Sequence, residues 1–377
     1  MCELFNHLFY CSVKNLRVLT CLLLSIGLLL SGKLNAQVFQ ECVNLEDWTI
    51  PNETTLCESI TDFDQTPRRI GESSSSTTYW SNTGIGFPSP WGVSNEDIVI
   101  NGTLILDDPA GFYNCRIKMG DDAKIVILDG EYLFSYFSSW FACTHMWEGI
   151  EVREGGSLRS FVSEYEDAKY LMTCDDGGIL SLMDNTFDRN HIVIRNGNSS
   201  ADHEGINVNL FRGNTFSCTA ELNETTLSDI TYAGVHITQG VGYFGFPFEG
   251  NFFEDLQNGF LVEKGTVVIT NCHFDRMYDP NGSGEEGGFG INALGGNVEV
   301  QTLWVNDEWK GRSTFNDCQW NAIQTRGANL YVEGAEFTGE MLAAIYVDNN
   351  QEGQTMEICN CHIELTENAS IGAILVS

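Results

Sequence analysis

The chain has 377 residues, with 52 acidic side chains against 19 Lys and Arg and a formal charge of −33. Such a chain repels a phosphate backbone, which excludes a nucleic-acid binder that works by charge neutralisation. Hydrophobic residues at 42% and aromatics at 11% exclude a disordered acidic tail and leave a folded, glycine-rich chain.

Lys14 and Arg17 precede an apolar run from Val18 to Leu30, and a small residue, Ala36, follows. This order reads as a secretory signal peptide over residues 1–36. The run falls short of the ~20 residues a spanning helix needs, so the mature chain is expected to be secreted or on the cell surface without crossing the membrane. Cleavage takes away Cys2, Cys11 and Cys21, leaving ten of the 13 cysteines in a compartment where disulfides persist. Cys42 and Cys57, in a loop-like stretch, are the expected disulfide. Cysteines further along read as reduced, inward-facing small hydrophobes. Residues 37–97, with the polar run Ser73–Ser76 and scattered Trp48, Trp80 and Trp91, read as an N-terminal cap and irregular segment.

From residue 98 to 377 short β-branched and aromatic runs alternate with Gly, Asn and Asp, the pattern of strands and turns. Their centres keep a seven-residue beat: Phe253, Phe260, Val267 and Phe274, then Ile323, Leu330 and Phe337. A helical heptad is excluded by the poor helix formers between them. Three run types recur in fixed order. The first reads Gly-apolar-x-apolar, as in Gly259-Phe260-Leu261-Val262. The second follows a glycine corner, as in Gly295-Gly296-Asn297-Val298. The third is Asn-x-Phe or Asn-Cys-x-Phe, as in Asn214-Thr215-Phe216 and Asn271-Cys272-His273-Phe274. Three such strands make a repeat of about 21–22 residues, the signature of a solenoid. The expected fold is all-β: a right-handed parallel β-helix with three strands per coil and about ten coils. The Asn before each Phe is expected to stack on itself, its amide bonding along the ladder.

The segment Met146-Trp147-Glu148-Gly149-Ile150-Glu151-Val152-Arg153-Glu154-Gly155-Gly156-Ser157-Leu158 resembles secreted bacterial right-handed β-helix proteins of the pectate-lyase-like superfamily. The resemblance implies export to the cell surface or beyond, in some members by type IX secretion with a C-terminal sorting domain. The sequence stops at Ile374-Leu375-Val376-Ser377 within a strand signal and without a recognisable sorting segment, so the expectation is a monomer capped from elsewhere in its own fold, a chain capped by a partner, or a truncated one.

Chemistry-bearing residues are sparse. Asp175 and Asp176, like Asp107-Asp108 and Asp121-Asp122, are paired carboxylates at turns. They are candidates for calcium, which is the one cofactor suggested, or for acid/base work on glycans, set against plain solvated turns. Lys264, Arg276 and Arg326 lie near strand ends but in no lyase-like segment. Trp304, Trp309 and Trp320 cluster around an insertion and are the candidate sugar-stacking residues, set against inward packing. The leading expectation is an extracellular β-helix that binds carbohydrate or a surface partner without catalysis. The alternatives are a polysaccharide lyase or glycoside hydrolase acting on acidic glycans, and a structural spacer of a larger adhesin.

Overall fold

Successive strands enter three sheets in rotation, and within each sheet every neighbour is parallel. The first sheet has 12 strands, from Arg68–Ile70 to His362–Leu365, and the second also has 12, from Thr77–Tyr79 to Gly372–Val376. The third is interrupted: six strands run from Val93–Ser94 to Asn207–Arg212, and five from Val241–Gly245 to Met356–Cys359. The chain is a parallel β-solenoid. Its computed structural model describes residues 56–59, 63, 66–85, 92–196, 205–222, 227, 230–246, 248–279, 287–305, 308–348, 353–366 and 372–376. The expected leader, Cys42, Trp48 and Trp91 lie outside the described residues. Among the described residues no helix is long and apolar enough to cross a membrane. The ladder reaches back into the stretch expected to be irregular, because Arg68–Ile70, Thr77–Tyr79 and Val93–Ser94 each pair with the next strand of a sheet.

The repeat follows from side-chain complementarity. On the inner side of the first sheet, Tyr165, Phe187, Phe216, Phe253, Phe274, Phe315 and Phe337 form one continuous aromatic column, with adjacent ring centroids 4.4–5.6 Å apart. Stacked rings in a dry core gain both buried area and ring–ring attraction. The column explains the glycine that opens the Gly-apolar-x-apolar run in the second sheet. A Cβ on Gly234, Gly259 or Gly290 would lie 2.5–2.7 Å from the ring of Phe253, Phe274 or Phe315. Only a residue without a side chain fits there.

The turn from the third sheet into the first is a single residue in the left-handed region, with φ of 51–54° at Asn114, Asp184 and Asn271. Just beyond it stands the expected asparagine ladder. Asn185 donates to Asn214 Oδ1 at 3.0 Å, Asn214 to Asn251 Oδ1 at 2.9 Å, and Asn251 to the Phe211 carbonyl at 3.1 Å. All three are buried, so each amide satisfies backbone groups that water cannot reach. Serines and cysteines fill the same column elsewhere, with the Ser138 N–H donating to Ser163 Oγ at 3.2 Å and the Cys272 N–H to Ser313 Oγ at 3.2 Å. Cys115, Cys174, Cys218, Cys272 and Cys318 are buried and unbridged, as small apolar fillers.

A short helix, α1 (Leu56–Ser59), lies against the outside of the first sheet. Cys57 is bridged to Cys143, with Cα atoms 5.5 Å apart, which corrects the expected pairing with Cys42. Sequence proximity favoured the nearer cysteine, whereas the fold brings the start of the described chain beside a residue 86 positions away. Phe63, Val99 and Phe141 pack around the bridge, with Phe63 and Phe141 edge to face at 5.7 Å.

Beside this strap a charged network is buried. Arg189 Nη2 bonds Glu166 Oε2 at 2.7 Å and Asp167 Oδ2 at 2.8 Å, and Glu166 also accepts from the Leu56 N–H at 3.4 Å. Asp188 accepts from Ser217 Oγ at 3.1 Å and from the Thr219 N–H at 2.9 Å. Burial, with Glu166 and Asp188 adding repulsion, pushes the carboxyls of Asp167 and Glu164 up to about 7, against the pull of Arg189 on Asp167. The folded state therefore holds protons that the unfolded chain releases near pH 4. Stability from these groups is full below that pH, falls as pH rises towards 7, and is flat above. The midpoint of thermal unfolding should accordingly be higher at pH 5.5 than at pH 8, by roughly 5 °C. Asp167→Asn, which tolerates the same left-handed backbone (φ 59°), should flatten that profile in a calorimetric pH series.

Candidate functional site

The strand Tyr132–Tyr136 in the third sheet alternates sides as a strand must. Leu133 and Ser135 point into the core and are fully buried. Tyr132, Phe134 and Tyr136 therefore point out, and all three are half-buried. Register adds to them. Tyr136 pairs with Tyr113 on one side and Phe161 on the other, so three rings stand on three consecutive strands. Tyr113 and Tyr136 are stacked at 5.5 Å and 17°, Phe134 and Tyr136 at 6.0 Å and 19°, and Phe134 lies 5.7 Å from Phe161. Phe137 meets Tyr136 edge-on at 4.3 Å. Gly111 is the ladder neighbour of Phe134, so no side chain covers that flank. Six rings thus form one outward platform, repeated at the strand spacing of roughly 4.8 Å. Burial beside its neighbours pushes the Tyr113 phenol above its ordinary value.

One feature of the platform opposes stability. Phe137 occupies the left-handed turn position, φ 51°, that Asn114, Asp184 and Asn271 fill in other coils. Val162 does the same in the next coil, also at 51°. Asn, Asp and Gly adopt this conformation readily, whereas a bulky or β-branched side chain is strained there by ~1–3 kcal/mol. At Phe137 the strain coincides with an aromatic ring held at the surface.

The residues singled out in the sequence are placed differently. Trp304 and Trp309 are Cα partners across an antiparallel hairpin, Leu303–Val305 with Glu308–Lys310, that leaves the coil between the third and first sheets. Trp320 lies beyond the following strand, at the corner leading into the second sheet, and is half-buried. The structure therefore sets Trp320 at a different corner from the other two. Asp175 and Asp176 sit between the second and third sheets. Asp175 lies 3.7 Å from Arg153 Nε, and Asp176 Oδ1 accepts from the Gly205 N–H at 3.2 Å. Among the described residues no group of three or more His, Cys, Asp or Glu side chains could hold a metal ion. Arg276 is surrounded by Asp255, Asp275 and Glu254, an arrangement that holds it charged rather than available as a base.

The platform was readable in part. Residues 132–137 read Tyr-Leu-Phe-Ser-Tyr-Phe, with rings at every second position from Tyr132 to Tyr136 and a fourth at Phe137. What the sequence does not show is that these positions face out, since the alternate ones are apolar or small as well.

Fold and site together define a parallel β-solenoid that carries an aromatic sheet face. No family model matches the chain, and neither a curated protein nor a solved structure matches it significantly.

Proposed function

We propose that this chain is an extracellular, pectate-lyase-like β-solenoid that binds a predominantly neutral polysaccharide through its third sheet, without catalysing a reaction on it. The observation that carries the reading is Phe137, a half-buried ring kept in a strained turn at the edge of five other rings. Strain at a turn position that Asn114 fills in the preceding coil is costly to stability and has its use at a binding face. Pyranose rings present apolar C–H faces that stack on aromatic rings, and a flat sheet with rings at strand spacing suits an extended chain. The charge of −33 disfavours a polyanionic ligand. Export is supported by the leader-like residues 1–36 and by the Cys57–Cys143 bridge, which belongs in an oxidising compartment.

Affinity electrophoresis and calorimetry against soluble β-glucan, xylan and mannan test this. Tyr136→Ala should weaken binding about tenfold, the value of ~1.4 kcal/mol of lost stacking. Phe137→Asn should weaken binding as well while raising the unfolding midpoint, because it relieves the turn. A wild-type chain retained by none of these glycans, or a Phe137→Asn variant that binds normally, would refute the reading. Release of reducing ends would replace it with a hydrolase.

A further inference from the structure

The aromatic platform holds one cation. Arg159 lies outward on the strand Ser157–Phe161 as the ladder neighbour of Phe134, and its guanidinium carbon sits 5.5 Å from the centroid of the Tyr132 ring. Other arginines near this part of the chain are held by acids: Arg153 by Glu151 and Asp175, Arg116 by Asp97, and Arg189 by Glu166 and Asp167. Arg159 has no hydrogen bond or ion pair with any described residue, although the chain carries 52 acidic side chains. It is half-buried and braced by an aromatic face, which limits its rotamers without using its donors. A guanidinium presents a planar fork of N–H groups suited to two oxygens of one anion.

We propose that Arg159 reads an oxyanion substituent, a carboxylate or a sulfate ester, carried at intervals along the otherwise neutral glycan. The inference rests on the proposed glycan-binding role of the platform and narrows the ligand to a sparsely charged chain. Sparse charge reconciles the site with the rest of the molecule. A polyanion would meet the repulsion of the whole surface, whereas a single charge set on Arg159 lies near its partner while more distant acids are screened beyond ~8 Å at physiological salt.

The test uses residues 37–377 and three probes built on one backbone: a neutral β-glucan oligosaccharide, the same chain sparsely oxidised to carboxylate at C6, and the same chain sparsely sulfated. In 150 mM salt the wild type should bind one or both charged probes about tenfold more tightly than the neutral one. The preferred probe tells carboxylate from sulfate. In Arg159→Gln the ratio of charged to neutral affinity should fall to about one, and the wild-type preference should shrink as salt is raised. Phe134→Ala should weaken binding of all three probes without changing their ratio. Equal wild-type affinity for the three probes would overturn the inference and leave the glycan reading standing, as would a preference that survives Arg159→Gln. Binding of none would overturn both.

Discussion

Arg189→Met should destabilise the folded chain by about 3–5 kcal/mol at pH 7.5, while Arg276→Met should cost no more than about 1 kcal/mol. The two arginines hold the same place in the repeat. Each sits at a left-handed corner (φ 52°) leaving the first sheet, and each bonds the aspartate at that corner one coil earlier: Arg189 to Asp167, Arg276 to Asp255. Arg276 is half exposed, as is Asp255 (side chains 51% and 45% accessible), so water and salt replace most of what the pair contributes. Arg189 and Asp167 are at 4% and 0%, beneath the disulfide-tethered strap. Removing the guanidinium there leaves Glu166, Asp167 and Asp188 facing one another with no counter-charge. Lowering the pH supplies one in the form of protons, so the penalty for Arg189→Met should shrink at pH 5.5 and that for Arg276→Met should not change. Denaturant unfolding of both variants at the two pH values reads this directly. Equal penalties for the two arginines would mean that the strap does not exclude water from the network.

The difference between those corners also marks how far the sequence carries. The beat of Phe253, Phe260, Val267 and Phe274 is legible because each inward position repeats one coil later on the same neighbours. The asparagine column is legible for the same reason, since Asn185, Asn214 and Asn251 each stand two residues before a ring of the core. Asp167 and Arg189 each stand two residues after a ring of the core, Tyr165 and Phe187, and are visible as opposite charges one coil apart. Their burial is not visible, because the network is closed by contacts that lie outside the beat, such as the Leu56 N–H bond to Glu166 and the Thr219 N–H bond to Asp188. The platform fails for a different reason. Alternation distinguishes two sides only when one is polar, and in Tyr132–Tyr136 neither is. The tryptophans of the insertion stand outside the beat, and a residue outside the beat has no repeat to place it. Trp320 accordingly falls at another corner from the hairpin that carries Trp304 and Trp309.

The aromatic column supports a second large effect. Phe274 stacks between Phe253 at 5.0 Å and Phe315 at 4.7 Å, meets Phe260 at 6.0 Å, and is 1% exposed. Phe274→Ala should therefore cost about 3–5 kcal/mol, the usual loss for a buried ring whose cavity cannot collapse. Collapse is resisted here because the backbone around the ring is locked by ladders on both sides, with Phe253 and Phe315 each held in register with Phe274. In a solenoid each coil touches only its neighbours, so this loss is not shared evenly over the fold. Hydrogen exchange should show the strands Asn251–Glu254, Cys272–Asp275 and Thr314–Asn316 losing protection first, with Ile98 to Val152 retaining theirs. Phe274→Leu, which refills most of the space without the ring stacking, should recover more than half of the stability. A uniform loss of protection along the whole chain would contradict nearest-neighbour coupling and point to a single cooperative core. Confinement to the three strands would imply that the platform at Tyr113 to Phe161 can keep its geometry while distant coils open, so glycan binding should survive Phe274→Ala at temperatures where those coils have begun to exchange.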